Sequence, residues 1–131
     1  MKDIVIEEYN KDKGFIRHNN FKIIELDSEH AKLEYRIKRD GLNPVGMVHG
    51  GLLFGLCDTA AGVLASMCGK FPLTISSNIN YLKPAKGKKI FAIAKKLKEG
   101  KTIGYYSVDL FDENNSLVTS ATINMFFSEI K

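Results

Sequence analysis

Residues 50–69 read GGLLFGLCDTAAGVLASMCG, a run of twenty that carries one charge, Asp58. A segment of that length and hydropathy could cross a bilayer. Its charge stands near the middle, however, small residues are abundant and no aromatic belt flanks it, all of which argue against a membrane span. The remaining solution is a helix over 50–68, about 28 Å long at roughly 1.5 Å per residue. Being apolar on every side, it must be buried on every side. Gly55 and Gly62 lower its helix propensity, but they allow other backbone or a ligand to approach closely.

The rest of the chain supplies the cover. After the helix, four segments read as strands by alternation and β-branched content, at 73–82, 89–98, 102–111 and 117–127. The turn residues at 99–101 and 112–116 mark hairpin connections, so these four strands are expected to run as an antiparallel meander. Two more strands, 21–26 and 31–37, precede the helix and are joined by the polar turn 27–30. Residues 1–19 are expected to form a short helix or an extension. With 131 residues the chain is expected to be a single α+β domain over 1–131. One sheet face cannot cover a helix that is apolar all round. Either the sheet curls around it or a second subunit covers the remainder, so a homodimer is expected from the pattern alone.

Charge narrows the partners. The formal net charge is +4, and it is concentrated. Eight lysines (Lys83, Lys86, Lys88, Lys89, Lys95, Lys96, Lys98 and Lys101) face one acid, Glu99, within nineteen residues, which leaves the remainder slightly acidic. Duplex-binding surfaces mix arginine among their lysines for bidentate contacts, whereas the only arginines here are Arg17, Arg36 and Arg39. Nucleic acid is therefore not the expected partner. A small polyanion, or a solvated lysine face, suits the cluster better. Cys57 and Cys68 lack ligand-like or framework spacing, so no disulfide and no metal site is expected. The N-terminal MKDIVIEEYNKDKG lacks the continuous apolar run of an export signal, and a cytoplasmic location is expected.

Three features bear on chemistry. Asp58 on an apolar helix is expensive to bury without a partner. It is either held by a structural hydrogen bond, to Thr59 or a neighbouring loop, or kept as a base or nucleophile in a partly dry cleft. His49-Gly50-Gly51 opens the helix, where unpaired amides and partial positive charge favour an anion or a developing oxyanion. Taken alone, such a triplet more often marks a tight entry turn capped by His49. Asn43 lies in the preceding loop, where it reads as a turn residue. His18 and His30 sit in polar surroundings and read as surface residues. No nucleophile elbow, phosphate loop, dinucleotide fingerprint or metal triad is present.

The run Asn43-Pro-Val-Gly-Met-Val-His-Gly-Gly51, followed by Leu-Leu-Phe-Gly-Leu-Cys-Asp58-Thr-Ala-Ala-Gly62, resembles the signature of hotdog-fold acyl-CoA thioesterases of the phenylacetate-degradation type. Residues 78–87, Asn-Ile-Asn-Tyr-Leu-Lys-Pro-Ala-Lys-Gly, resemble the strand with a terminal Pro-Ala that follows the central helix in that family, and the resemblance extends over about 20–128. It implies a hotdog fold, with a long central helix wrapped by a curved antiparallel sheet of five to six strands, paired into homodimers and often into dimers of dimers. It implies hydrolysis of acyl-CoA without a cofactor beyond the coenzyme A of the substrate. Asp58 would activate water or attack the thioester, supplied from the other subunit, and the Gly50 N–H would take the thioester oxygen. Asn43 and His49 would position substrate or water, and Thr74, with Ser76 and Ser77 close by, would hold the water. Gly51 and Phe54 would contact substrate, together with Leu52, Leu53 and Met47 in an acyl pocket, and Lys83, Lys86, Lys88 and Lys89 the coenzyme A phosphates. A non-catalytic acyl-CoA-binding module and a hotdog dehydratase are the alternatives, the first disfavoured by the presence of Asp58.

Overall fold

The computed structural model describes residues 1–129. Two short helices, α1 (Lys2–Asn10) and α2 (Phe15–Asn19), lead into strands β1 (Lys22–Leu26) and β2 (His30–Arg36). The central helix α3 (Gly50–Ala65) follows, ending in a 3₁₀ turn (Ser66–Cys68), and then β3 (Phe71–Tyr81), β4 (Lys89–Glu99), β5 (Ile103–Asp112) and β6 (Leu117–Ser128). The helix stops short of residue 68 because the last turn tightens into 3₁₀ form and Gly69 adopts φ +87°, a left-handed stop.

The six strands form one antiparallel sheet in the order β1-β2-β4-β5-β6-β3. Strict alternation turns one face toward α3: Ala31, Leu33 and Tyr35 from β2, Ile90, Ala92 and Ala94 from β4, Tyr106, Val108 and Leu110 from β5, and Ile123, Met125 and Phe127 from β6 are all buried. Alanines across from the helix let its own Leu56, Ala60, Ala61, Val63 and Leu64, none of them exposed, sit close to the sheet. The apolar run is thus the hub of a folded core, as expected of a central helix inside a curled sheet.

The expected four-strand meander is not what forms. Only β4, β5 and β6 run consecutively, while β3 pairs with β6 at the far edge of the sheet. The cause is the connection over residues 82–88, which contains Pro84 and a left-handed Gly87 (φ +90°) and is too long for a hairpin turn. It crosses the end of the sheet instead. Leu82 N–H bonds Val118 O at 2.8 Å, Lys86 N–H bonds the Asp112 carboxylate at 3.0 Å, and Ile37 N–H bonds Lys88 O at 2.8 Å beside β2.

Asp112, 2% exposed, anchors that crossing. One carboxylate oxygen accepts Lys86 N–H and the other accepts Asn114 N–H and Ser116 N–H, each at 3.0 Å. The backbone bond from Ser116, assisted by those from Lys86 and Asn114, holds its carboxyl below the usual carboxylate range against the opposing pull of burial. A depressed carboxylate stabilises the fold above its unfolded pKa of about 3.9, and the contribution is lost as pH falls through the lower folded value. Asp112→Ala should lower the melting temperature at pH 7 and flatten its fall below about pH 4. An unchanged acid limb in thermal melts would contradict this role.

Candidate active site

α3 is not covered all round. Its incompletely buried positions Gly51, Phe54, Gly55 and Asp58 recur at helical spacing and form one stripe with Asp58 at its end. Toward β3, the Thr74 hydroxyl donates to Asp58 Oδ1 at 2.5 Å. The strand is irregular at this point, with a register shift between Thr74 and Ser76. The bulge turns Thr74 to the helix and Ser76 away from it, where Ser76 Oγ accepts from Asn124 Nδ2 at 2.9 Å. Of the three hydroxyl residues considered from sequence, Thr74 is the one bonded to Asp58. Thr59, considered as a structural partner, is buried, and the side-chain bond to Asp58 comes from Thr74. Thr74 occupies Oδ1 and leaves Oδ2 for another donor.

At the other end of the stripe the helix N-terminus is organised around His49. Its N–H bonds Gly41 O at 2.8 Å, its Nδ1 accepts Gly51 N–H at 2.8 Å, and its carbonyl accepts Leu52 N–H and Leu53 N–H at 3.0 and 3.1 Å. Accepting at Nδ1 places the proton of the neutral ring on Nε2. Among the described residues, the Gly50 N–H is the one amide of that first turn without a partner. Gly51 therefore serves the cap, and its amide is engaged by His49.

Asn43 closes the preceding loop. Its Oδ1 accepts Val45 N–H and Met47 N–H, both at 3.0 Å, and its backbone N–H bonds Met47 O at 2.6 Å. Only its Nδ2 is left to meet a ligand, so the turn reading describes its main work. Phe54 is half-buried one turn beyond Gly50, and Met47 is exposed, whereas Leu52 and Leu53 are 9% and 7% exposed and pack within the core.

Three aromatic residues belong to the site that sequence reading did not single out. The Tyr81 hydroxyl donates to Gly50 O at 2.9 Å, and a Cβ on Gly50 would lie 3.3 Å from its ring. Phe15 and Tyr9 pack on the two helix glycines. A Cβ at Gly55 would lie 2.6 Å from the Phe15 ring, and one at Gly62 would lie 3.1 Å from Tyr9 Oη. The glycines did signal a close approach, but nothing local identified the first nineteen residues as what approaches. Burial raises the Tyr9 pKa, the Ser66 hydrogen bond opposes that, and the charge of Asp58 adds to it. Cys57, beside Asp58, is buried and its thiol is pushed up to about 12 by burial, with the charges of Asp109 and Asp58 contributing, so it stays a thiol and no nucleophile.

The lysine cluster divides. Lys83, Lys86 and Lys88 are exposed on the crossing connection, which leaves β3 just after Tyr81 and so starts at the Gly50 end of the helix. Lys89 pairs with Glu34 at 3.3 Å and Lys96 with Glu99 at 3.5 Å. Lys95, Lys96 and Lys98 lie toward the far end of β4, about 20–30 Å along the strand from Lys89. His18 and His30 are exposed and pair with Asp40 and Asp27. Among the described residues no three His, Cys, Asp or Glu side chains gather as a metal would require.

A thioesterase superfamily model matches residues 45–119. A putative esterase of Archaeoglobus fulgidus is 32% identical over 114 residues, which is 86% of this chain and 73% of that protein. Acyl-coenzyme A thioesterase 13 of Mus musculus is 38% identical over 92 residues, 67% of this chain and 65% of that protein. A hypothetical thioesterase of Streptococcus pneumoniae, solved with coenzyme A, superposes with TM-score 0.86 at 27% identity, covering 95% of this chain and 97% of that one. Two mutants of a hypothetical thioesterase from the same strain have also been solved, one aspartate-to-alanine and one threonine-to-alanine, at 29% identity and TM-scores of 0.80 and 0.79. Their mutated positions are sixteen residues apart, the separation of Asp58 and Thr74 here.

Proposed function

Because this chain belongs to the thioesterase superfamily, we propose that it hydrolyses acyl-coenzyme A to the free acid and coenzyme A at a site built on Asp58 and Gly50. The observation that carries the reading is the Thr74–Asp58 hydrogen bond on the uncovered stripe of an otherwise apolar helix. A water seated between Thr74 Oγ and Asp58 Oδ2 would give its proton to the carboxylate as its oxygen bonds the thioester carbon. The developing oxyanion would be met by the unpaired Gly50 N–H at the positive end of the helix. Collapse then breaks the C–S bond, and the thiolate leaves with the proton held by Asp58. Direct attack by Asp58 is the variant of this mechanism. The neighbouring hydroxyl, suited to holding water, favours the first course.

Asp58 and Gly50 of one chain do not meet at one carbonyl. Eight residues of helix separate them by about 12 Å, whereas base and oxyanion donor must each lie about 3 Å from the reacting group. The reading therefore requires two chains, Asp58 from one and Gly50 from the other. Two surfaces suit a second copy: the uncovered stripe of α3 and the open edge of β3, where Leu73 and Ile75 are 57% and 54% exposed.

The connection following Tyr81 would carry its lysines beside the same Gly50, which suits the phosphates of coenzyme A. Lys89 is engaged with Glu34, so Lys83 and Lys86 are the cleaner pair to reverse. Lys83→Glu with Lys86→Glu should raise KM for an acyl-CoA about tenfold, less so at high salt, while leaving the matching acyl-pantetheine little changed. Equal effects on both esters would remove the phosphate role.

The test of the function itself is thiol release from a panel of acyl-CoAs, with binding measured in parallel. Turnover of at least part of the panel supports a thioesterase. Tight binding with no thiol release would identify an acyl-CoA-binding module instead.

A further inference from the structure

A cavity of about 560 Å³ lies between α1 and the start of β3, within the size range of small-molecule sites. Ile4, Val5, Tyr9, Phe71, Pro72 and Leu73 contribute to its wall, with Ser66 at the end of α3. It adjoins the C-terminal end of the helix that carries Asp58. Tyr9, in its wall, sits over Gly62, one helical turn beyond Asp58 on the same face. Tyr9 is fixed there. Ser66 Oγ donates to Gly62 O at 2.7 Å, so at the 3.3 Å contact with Tyr9 Oη it is the tyrosine that donates. The charged side chains lining it are Glu8, Asp12 and Lys70. Asp12 is already capping α2 through the backbone amides of Gly14, Ile16 and Arg17, and Lys70 is engaged by Lys101 O at 3.0 Å and by Glu129 at 4.0 Å, which leaves Glu8.

We propose that this cavity is the acyl chamber, that α1 is its outer wall, and that it selects an uncharged acyl chain of medium length. The inference rests on the thioesterase reading above and adds the substrate class. From Asp58 to Ser66 the helix advances about 12 Å, the reach of an extended acyl chain of roughly eight to ten carbons. The apolar lining rewards each methylene that enters it, by about fourfold in kcat/KM. A carboxylate at the far end of the acyl chain would meet Glu8, with Lys70 already engaged by Lys101 O and Glu129, and be rejected by like charge. With the oxyanion donor supplied by the second chain, the substrate would span both, its acyl chain beside α1 of the chain that gives Asp58 and its phosphates on the lysines of the chain that gives Gly50.

The experiment compares acetyl-, butyryl-, octanoyl- and palmitoyl-CoA and the ω-carboxylated eight-carbon ester, by turnover and by calorimetric affinity. Wild type should favour octanoyl over acetyl by at least a hundredfold in kcat/KM and discriminate strongly against the ω-carboxylated ester. Ile4→Trp, which fills the chamber from an exposed position, should cut the octanoyl-to-acetyl ratio at least tenfold. Glu8→Gln should narrow the gap between octanoyl and its ω-carboxylated counterpart. Ratios unmoved by both variants would overturn the chamber while leaving the thioesterase reading intact. If no ester were hydrolysed, that reading would fall. The affinities would then decide the chamber by themselves, with chain-length dependence weakened by Ile4→Trp supporting it and its absence overturning it.

Discussion

Asp58→Asn should lower kcat for acyl-CoA hydrolysis by about 10²- to 10⁴-fold, the usual contribution of a positioned general base. The substitution keeps the shape of the side chain and a carbonyl oxygen for the Thr74 hydroxyl, which reaches Oδ1 at 2.5 Å, but it removes the group that takes the proton from water. KM should move little, because the interaction lost is made in the transition state. Stability should move the other way. An ionisable group on a helix whose neighbours are almost all apolar is costly to keep, so the melting temperature of Asp58→Asn should equal or exceed that of the wild type. Thr74→Ser should retain most activity and Thr74→Ala should lose about tenfold, since a hydroxyl is what the water needs. Loss of kcat together with a large fall in melting temperature would mean that Asp58 is structural.

Gly50→Ala has the second largest expected effect, about 10- to 100-fold in kcat with a much smaller change in KM. The amide survives the substitution, so the loss stays below the 10²–10³ seen when an oxyanion donor is deleted outright. A Cβ at this position would press on the Tyr81 ring at 3.3 Å, disturb the Tyr81 hydroxyl on Gly50 O and narrow the approach to the N–H. The helix itself should not suffer, as alanine is the better helix former. A rise in KM alone would show that Gly50 binds the ground state and the oxyanion equally and does not serve as its donor.

Much of this was legible in the sequence, for identifiable reasons. An all-apolar helix with a single carboxylate allows few arrangements, and the alternation in 89–98, 102–111 and 117–127 matches β4, β5 and β6 to within a residue or two at either end. The position of β3 was not legible, because it depends on a crossing held by Asp112, Val118 and Lys88, contacts distant in sequence. The division of labour at the helix start was also hidden. Gly50 and Gly51 are identical letters, and only the His49 Nδ1 bond to one of them singles out the amide of the other. The burial of Leu52 and Leu53 was hidden too, because the run gives no sign of which side the sheet covers. Tyr9 and Phe15 come from the segment with the weakest pattern, and their role appears only where they meet Gly62 and Gly55.

Under the proposed mechanism one thioester is held by Asp58 of one chain and Gly50 of another. Mixing two inactive variants tests this directly: Asp58→Ala subunits, and Gly50→Val subunits in which the donor is blocked. In a mixed dimer one of the two sites would join an intact Asp58 to an intact Gly50. With random mixing, about a quarter of wild-type activity should return. Failure to recover activity when differently tagged subunits are shown to have paired would contradict a site shared between chains.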